Sequence, residues 1–255
     1  MTLLFFALAS LGQAPPAVAI IPPRPAVSLL ALGADDAPGV LINYTVGVPP
    51  FAAPDPSRFS VVIVHGINPF HPLVHLEMAQ RYGEAVGAVW GPSVNVLGWD
   101  WNANTMQGPF PARNAALAER QGRLMAEALL RAGLAPERLH LVGQSSGCIV
   151  AASAARVIAD RYGRTAYRLT LLDPRTGHHT MVFETLRAGS AARIVDHLWV
   201  TGPSGFGSNA PYANVRNVAV IGPSGWSGFL SPGNLDHMQL VQWHIRQIAA
   251  NPWGL

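Results

Sequence analysis

The chain sets short apolar runs against longer stretches in which apolar residues recur every three or four positions, the periods of strand and helix. Phe59–Val64 (FSVVIV) is an uninterrupted run of buried-strand length that ends in His65-Gly66. Residues 73–89 carry a helical period. A short strand at 94–97 runs into Gly98-Trp99-Asp100-Trp101, and a long helical pattern at 112–132 stops at Gly133. A strand then leads to Ser145, a helix follows it to about residue 162, and another strand covers 167–172. Strands at 194–200 and 215–221 and a helix at 238–250 complete the order. Upstream, 40–48 alternates loosely, as an outer antiparallel strand does. This alternation predicts an α/β fold with a mainly parallel central sheet and helices on both faces.

The length of 255 residues suits one sizeable core. Residues 26–255 are therefore expected to form a single domain. Apolar residues make up 49% and charged residues 12%, which excludes a disordered chain. All 17 basic residues are arginine, and they are scattered, so the formal charge of +3 describes no nucleic-acid footprint. Residues 1–25 read as a signal peptide and proline-rich linker: no charged side chain occurs before Arg24, and the apolar block is too short for a stable membrane span. A secreted or periplasmic protein is expected. The lack of a basic n-region leaves an uncleaved anchor or a misassigned start open. Asn43-Tyr44-Thr45 fits a glycosylation acceptor but falls in the outer strand, which gives it little weight. Cys148 is the sole cysteine, so no internal disulfide forms, and an apolar helix position is its expected role.

The chemistry gathers at Gly143-Gln144-Ser145-Ser146-Gly147, the only G-x-S-x-G in the chain, with a strand before it and a helix after it. A serine on such a turn is exposed at the sheet edge, and the helix N-terminus beside it favours a developing oxyanion. Its hydroxyl needs a histidine and an orienting carboxylate. Downstream histidines are His178, His179, His197, His237 and His244; His197 lies in a predicted strand and His244 inside the last helix. His237, in the loop expected before that helix, is the candidate base. Among Asp160, Asp173, Glu184, Asp196 and Asp236, Asp173 closes a strand and is followed by Pro174, which makes it the candidate acid. Ser146 N–H and Ile67 N–H are the candidate oxyanion donors, with Gly66 allowing close approach and His65 propping the loop.

These residues resemble the α/β-hydrolase superfamily and, within it, the pancreatic-type lipases. The matching pieces are VVIVHG, Gly98-Trp99-Asp100-Trp101, LHLVGQSSG and LTLLDP. Gln144 and Ser146 stand where that family often has histidine and leucine. The resemblance implies the α/β-hydrolase fold, ester hydrolysis, and an acid after the strand that follows the nucleophile helix, which falls on Asp173.

The reading is a serine carboxyl-ester hydrolase acting through an acyl-enzyme, with no metal or organic cofactor. The substrate is a small-molecule, lipid or polymer ester with an apolar acyl part; Trp99, Trp101, Phe110, Phe206, Trp226 and Phe229, on or near loops after strands, are candidates to line its pocket, packing being the alternative for each. A non-catalytic binding protein of the same fold, or a polymer esterase or amidase with the same triad, are the other readings.

Overall fold

The computed structural model describes residues 38–67, 72–101, 111–174, 178, 180–201, 214–221 and 232–252. Among the described residues seven strands form one sheet: β1 (Val40–Asn43), β2 (Phe59–Val64), β3 (Val94–Asp100), β4 (Leu139–Gln144), β5 (Ala166–Leu172), β6 (Ala192–Thr201) and β7 (Arg216–Ile221). Their spatial order is β1-β3-β2-β4-β5-β6-β7. All neighbours are parallel except β1, which runs antiparallel to β3. Four longer helices accompany the sheet: α1 (Pro72–Trp90), α2 (Pro111–Arg131), α3 (Gly147–Tyr162) and α4 (Pro232–Ala250). None of the helices among the described residues is long and apolar enough to cross a membrane.

A central parallel strand must be apolar on both faces because helices cover both. In β2, Val62 and Val64 join the core under α2 and α3, whereas Val61 and Ile63 join the core under α1 and α4. Leu141 and Val142 of β4, and Leu171 and Leu172 of β5, divide in the same way. Each such fully buried Leu or Ile contributes about 1.5–3 kcal/mol relative to exposure. Helix α3 is nearly all small or aliphatic on its buried sides, and Gly163 ends it in a left-handed conformation (φ +61°) with its N–H on Ala159 O.

Three elements depart most from the sequence pattern, each for a local reason. Strand β3 continues through Gly98 to Asp100, because Gly98 is there for closeness: a Cβ at Gly98 would lie 2.7 Å from the Tyr44 ring and 3.0 Å from Ala79 Cβ. Strand β1 stops at Asn43, where Thr45 N–H donates to Asn43 Oδ1 (3.0 Å) and the chain turns. Asn43 is itself buried and its side-chain nitrogen donates to Ala52 O, so the glycosylation acceptor is engaged in the turn. Helix α4 starts at Pro232, six residues before its apolar period begins at Met238. Proline suits the first helical turn because it brings no N–H that needs a partner.

Parallel strands joined by helices place all their C-terminal ends along one edge. The last register pairs there are Val64↔Gly143, Gln144↔Leu172 and Leu172↔Leu198. The segments that follow β2, β4 and β5 therefore emerge side by side.

Candidate active site

Ser145 leaves the end of β4 with φ +54°, a left-handed backbone conformation that a side chain rarely adopts. The turn is tied down on both sides: Ser145 N–H donates to Leu172 O (2.9 Å), and Cys148 N–H donates to Ser145 O (3.1 Å). The flanking glycines are required by space. A Cβ on Gly143 would meet Gly147 O at 2.6 Å and Cys148 Cα at 2.7 Å; one on Gly147 would meet Val64 O and His65 O at 2.5 Å. Ser146 is the N-cap of α3, so its own N–H lies at the positive end of a 16-residue buried helix. A half-buried serine held in strain between two such glycines, at a strand-to-helix turn of a parallel sheet, has the backbone form of a nucleophile elbow.

This is the α/β-hydrolase fold. No family model and no curated protein matches the chain. Among solved structures it is similar to an esterase of Pyrobaculum calidifontis, at 16% identity and TM-score 0.45 over 83% of this chain and 82% of that one. It is also similar to the propionate-bound esterase Est2 of Thermogutta terrifontis, at 14% identity and TM-score 0.44 over 84% of this chain and 90% of that one. The carboxylesterase EstE1, cloned from a metagenomic library, has 14% identity and TM-score 0.44 over 85% of this chain and 88% of that one.

The loop after β2 lies against the elbow. A Cβ on Gly66 would sit 2.7 Å from Ser145 Cβ, so only glycine permits this approach. His65 is buried and props the loop through both ring nitrogens. Its Nδ1 is 2.8 Å from Gly66 O, and Trp101 N–H donates to Nε2 at 3.3 Å. These partners require the neutral tautomer with the proton on Nδ1. The Trp101 indole stacks on the His65 ring (centroids 5.8 Å apart) and donates to His65 O at 2.9 Å. The Asp100 carboxylate lies 3.7 Å from His65 Nε2. Ile67 follows, half-buried, against the core under α2 and α3.

Asp173 is the residue after β5, one step beyond the register pair Gln144↔Leu172 just as Ser145 is. It is buried, holds φ +46°, and donates its N–H to Leu198 O at 2.7 Å. Its charge reaches Cys148: burial first, and then the Asp173 carboxylate, push that thiol well above its usual range. Cys148 Sγ donates to Gly143 O (3.3 Å) across the strand-to-helix turn, which is a packing role.

His237 is not in a loop. Because α4 begins at Pro232, His237 belongs to its second turn; its side chain lies outside the described residues. The helix direction is fixed by two bonds to α1: Tyr82 OH with His244 Nδ1 (2.7 Å), and Trp90 Nε1 to Ala249 O (3.0 Å). Helices α1 and α4 are thus parallel, and α1 joins the C-terminal end of β2 to the start of β3. The N-terminal end of α4 consequently lies toward the edge that holds Ser145. Position 237 is two turns, about 10 Å, nearer that edge than His244 on the same stripe of the helix.

Other candidates fall elsewhere. Trp99 and Trp101 are buried in the core under α2 and α3, with 3% and 1% of their surface exposed. Phe110, Phe206, Trp226 and Phe229 lie outside the described residues. Asp196 is buried in β6 between Arg168 and Arg216, each with a nitrogen at 2.5 Å. His197 is enclosed by Phe183 and Trp199. One contact is missed by the sequence reading: Gly66 N–H donates to Gln144 Oε1 at 3.0 Å. A lone amide side chain closing an apolar strand just before the serine is the only hint of it.

Proposed function

We propose that the protein is a serine carboxyl-ester hydrolase for esters with an apolar acyl part, and that it works outside the cytoplasm. The observation that carries this is Ser145 at φ +54° between two glycines that tolerate no Cβ, beside a loop that only glycine lets approach. Such strain persists where a surrounding structure enforces it for a task. The extracytoplasmic placement rests on the uncharged, apolar N-terminus alone.

In this mechanism His237 takes the proton of Ser145 Oγ as it attacks the ester carbonyl. The carbonyl oxygen becomes an oxyanion held by Ser146 N–H and Ile67 N–H. Collapse breaks the bond to the alcohol, which leaves with the proton from His237, and the acyl group stays on Ser145. A water then repeats the sequence, releasing the acid and restoring the hydroxyl. Asp173 orients His237 and stabilises its protonated form. That acid position, after β5 rather than β6, matches the pancreatic-type pattern, and the sequence holds no carboxylate between the end of β6 and Asp236.

Hydrolysis of p-nitrophenyl esters of rising chain length, beside an emulsion and a polyester film, tests the proposal and the substrate class together. Turnover by the wild type that Ser145→Ala lacks is the expected result. A well-folded wild type inert toward every ester would leave a binding protein on a hydrolase scaffold.

A further inference from the structure

We infer that Gln144 is a positioning residue of this site: its side-chain carbonyl holds Gly66 N–H and so fixes the oxyanion loop against Ser145. The inference rests on the hydrolase reading above. The β2–β4 ladder ends at Val64↔Gly143. One step further on, where no backbone pair is left, Gln144 Oε1 accepts Gly66 N–H at 3.0 Å and carries the connection past the strand ends. Gln144 is buried, so the bond has little competition from water. A backbone N–H can be accepted only by the amide oxygen, which sets the orientation of the side chain.

Gly66 is thereby gripped from both sides. Its N–H is held by Gln144 and its C=O by His65 Nδ1–H at 2.8 Å. The C=O of Gly66 and the N–H of Ile67 belong to one planar trans peptide and point in opposite directions. Fixing the carbonyl toward His65 therefore turns the Ile67 N–H away from that ring. Gly66 N–H, already committed to Gln144, does not compete for the oxyanion, which leaves Ile67 as the next donor of the loop. Because Gln144 is also the residue bonded covalently to Ser145, nucleophile and donor loop are referenced to one another through a single side chain. A neutral acceptor suits the place: a carboxylate there would put negative charge beside a developing oxyanion.

The test is kcat and KM for a p-nitrophenyl ester from about pH 5 to about pH 9 in the wild type, Gln144→Leu and Gln144→Glu, with thermal melts and active-site titration by a fluorophosphonate. Gln144→Leu should lower kcat per titrated site by about 10², the scale of a misplaced oxyanion donor, with KM within about twofold. Gln144→Glu keeps an acceptor for Gly66 N–H. Its kcat relative to wild type should exceed that of Gln144→Leu at the acid end and fall about tenfold or more as the carboxyl ionises. A merely structural role would lower the melting temperature and leave both ratios flat with pH. Gln144→Leu within about threefold of wild-type kcat, or Gln144→Glu equal to wild type at the alkaline end, would overturn the inference while leaving the hydrolase reading intact. A wild type that neither hydrolyses esters nor takes the label ends both. If Gln144→Leu fails to fold, the pH ratio of Gln144→Glu decides alone.

Discussion

Ser145 and Asp173 share an unusual property: both follow a register pair of adjacent strands, and both hold positive φ without being glycine. Each such conformation costs on the order of 1–3 kcal/mol, and each is enforced by backbone hydrogen bonds into the neighbouring strand. This is why Gly147→Ala should be severe. Its Cβ would meet two backbone oxygens at 2.5 Å, so about 2 kcal/mol or more of stability should be lost together with ester turnover. Gly91→Ala is the control, since φ is +56° but nothing lies within 4 Å; urea unfolding should show about 1 kcal/mol and assays no loss. For the acid, Asp173→Asn should lower kcat by up to about 10⁴ while melting near wild type. Asp196→Asn should do the reverse, losing about 3 kcal/mol of stability because it unbalances a buried ion pair, with kcat per active site retained. An inactive, stable Asp196→Asn would move the acid. The serine was legible because the small residues around it spell a backbone constraint within five positions. The Gln144 contact was not, because its partner is 78 residues away and a side-chain bond across strands leaves no local pattern.

Helices α1 and α4 lie side by side over one face of the sheet, and their shared polar contact sits far from the elbow. Tyr82 OH bonds His244, whose ring stands edge-on to His140 at 6.3 Å; His140 Nε2 bonds Thr170 Oγ1 at 2.8 Å. Burial pushes His244 down to about 3, with the charge of Arg168 adding to the effect. His140 is likewise driven well below its ordinary value, by burial first and then by His244 and Arg168. Both histidines are neutral in the folded protein and titrate near 6.5 when unfolded. The unfolded chain therefore binds more protons below that pH, so their contribution is complete above about pH 6.5 and falls away below it, for His244 until the pH nears 3. Unfolding free energy from urea titrations should drop by up to about 1.4 kcal/mol per pH unit for His244 across this window, with His140 acting in the same direction. His244→Gln should flatten the slope; an unchanged slope would contradict the assignment. At this scale the sequence read well where apolar period and element coincide, as in β2 and α3. It fell short at α4, whose first turn is polar and proline-led, and at β3, where Gly98 read as a turn but serves close contact with Tyr44 and Ala79.

At the scale of the molecule, one sheet edge collects what the sequence scatters over more than a hundred residues. Gly66, Ser145 and Asp173 come from segments after three neighbouring strands, β2, β4 and β5, and are brought together by register alone. The order of strands was not readable from periodicity, which fixes what each strand buries but not its neighbour. The chain order serine, acid, histidine is the expectation drawn from the sequence, and α4 runs with its N-terminal end toward the same edge. If Ser145 is an activated nucleophile, it reacts covalently with an electrophile aimed at serine hydrolases. Treatment of the folded chain with a fluorophosphonate, followed by digestion and mass mapping, measures this most directly. The expected result is a covalent adduct on Ser145 in the wild type, loss of ester hydrolysis in step with labelling, and no adduct in Ser145→Ala. An unlabelled wild type, an adduct on a different residue, or ester hydrolysis retained by Ser145→Ala would contradict it.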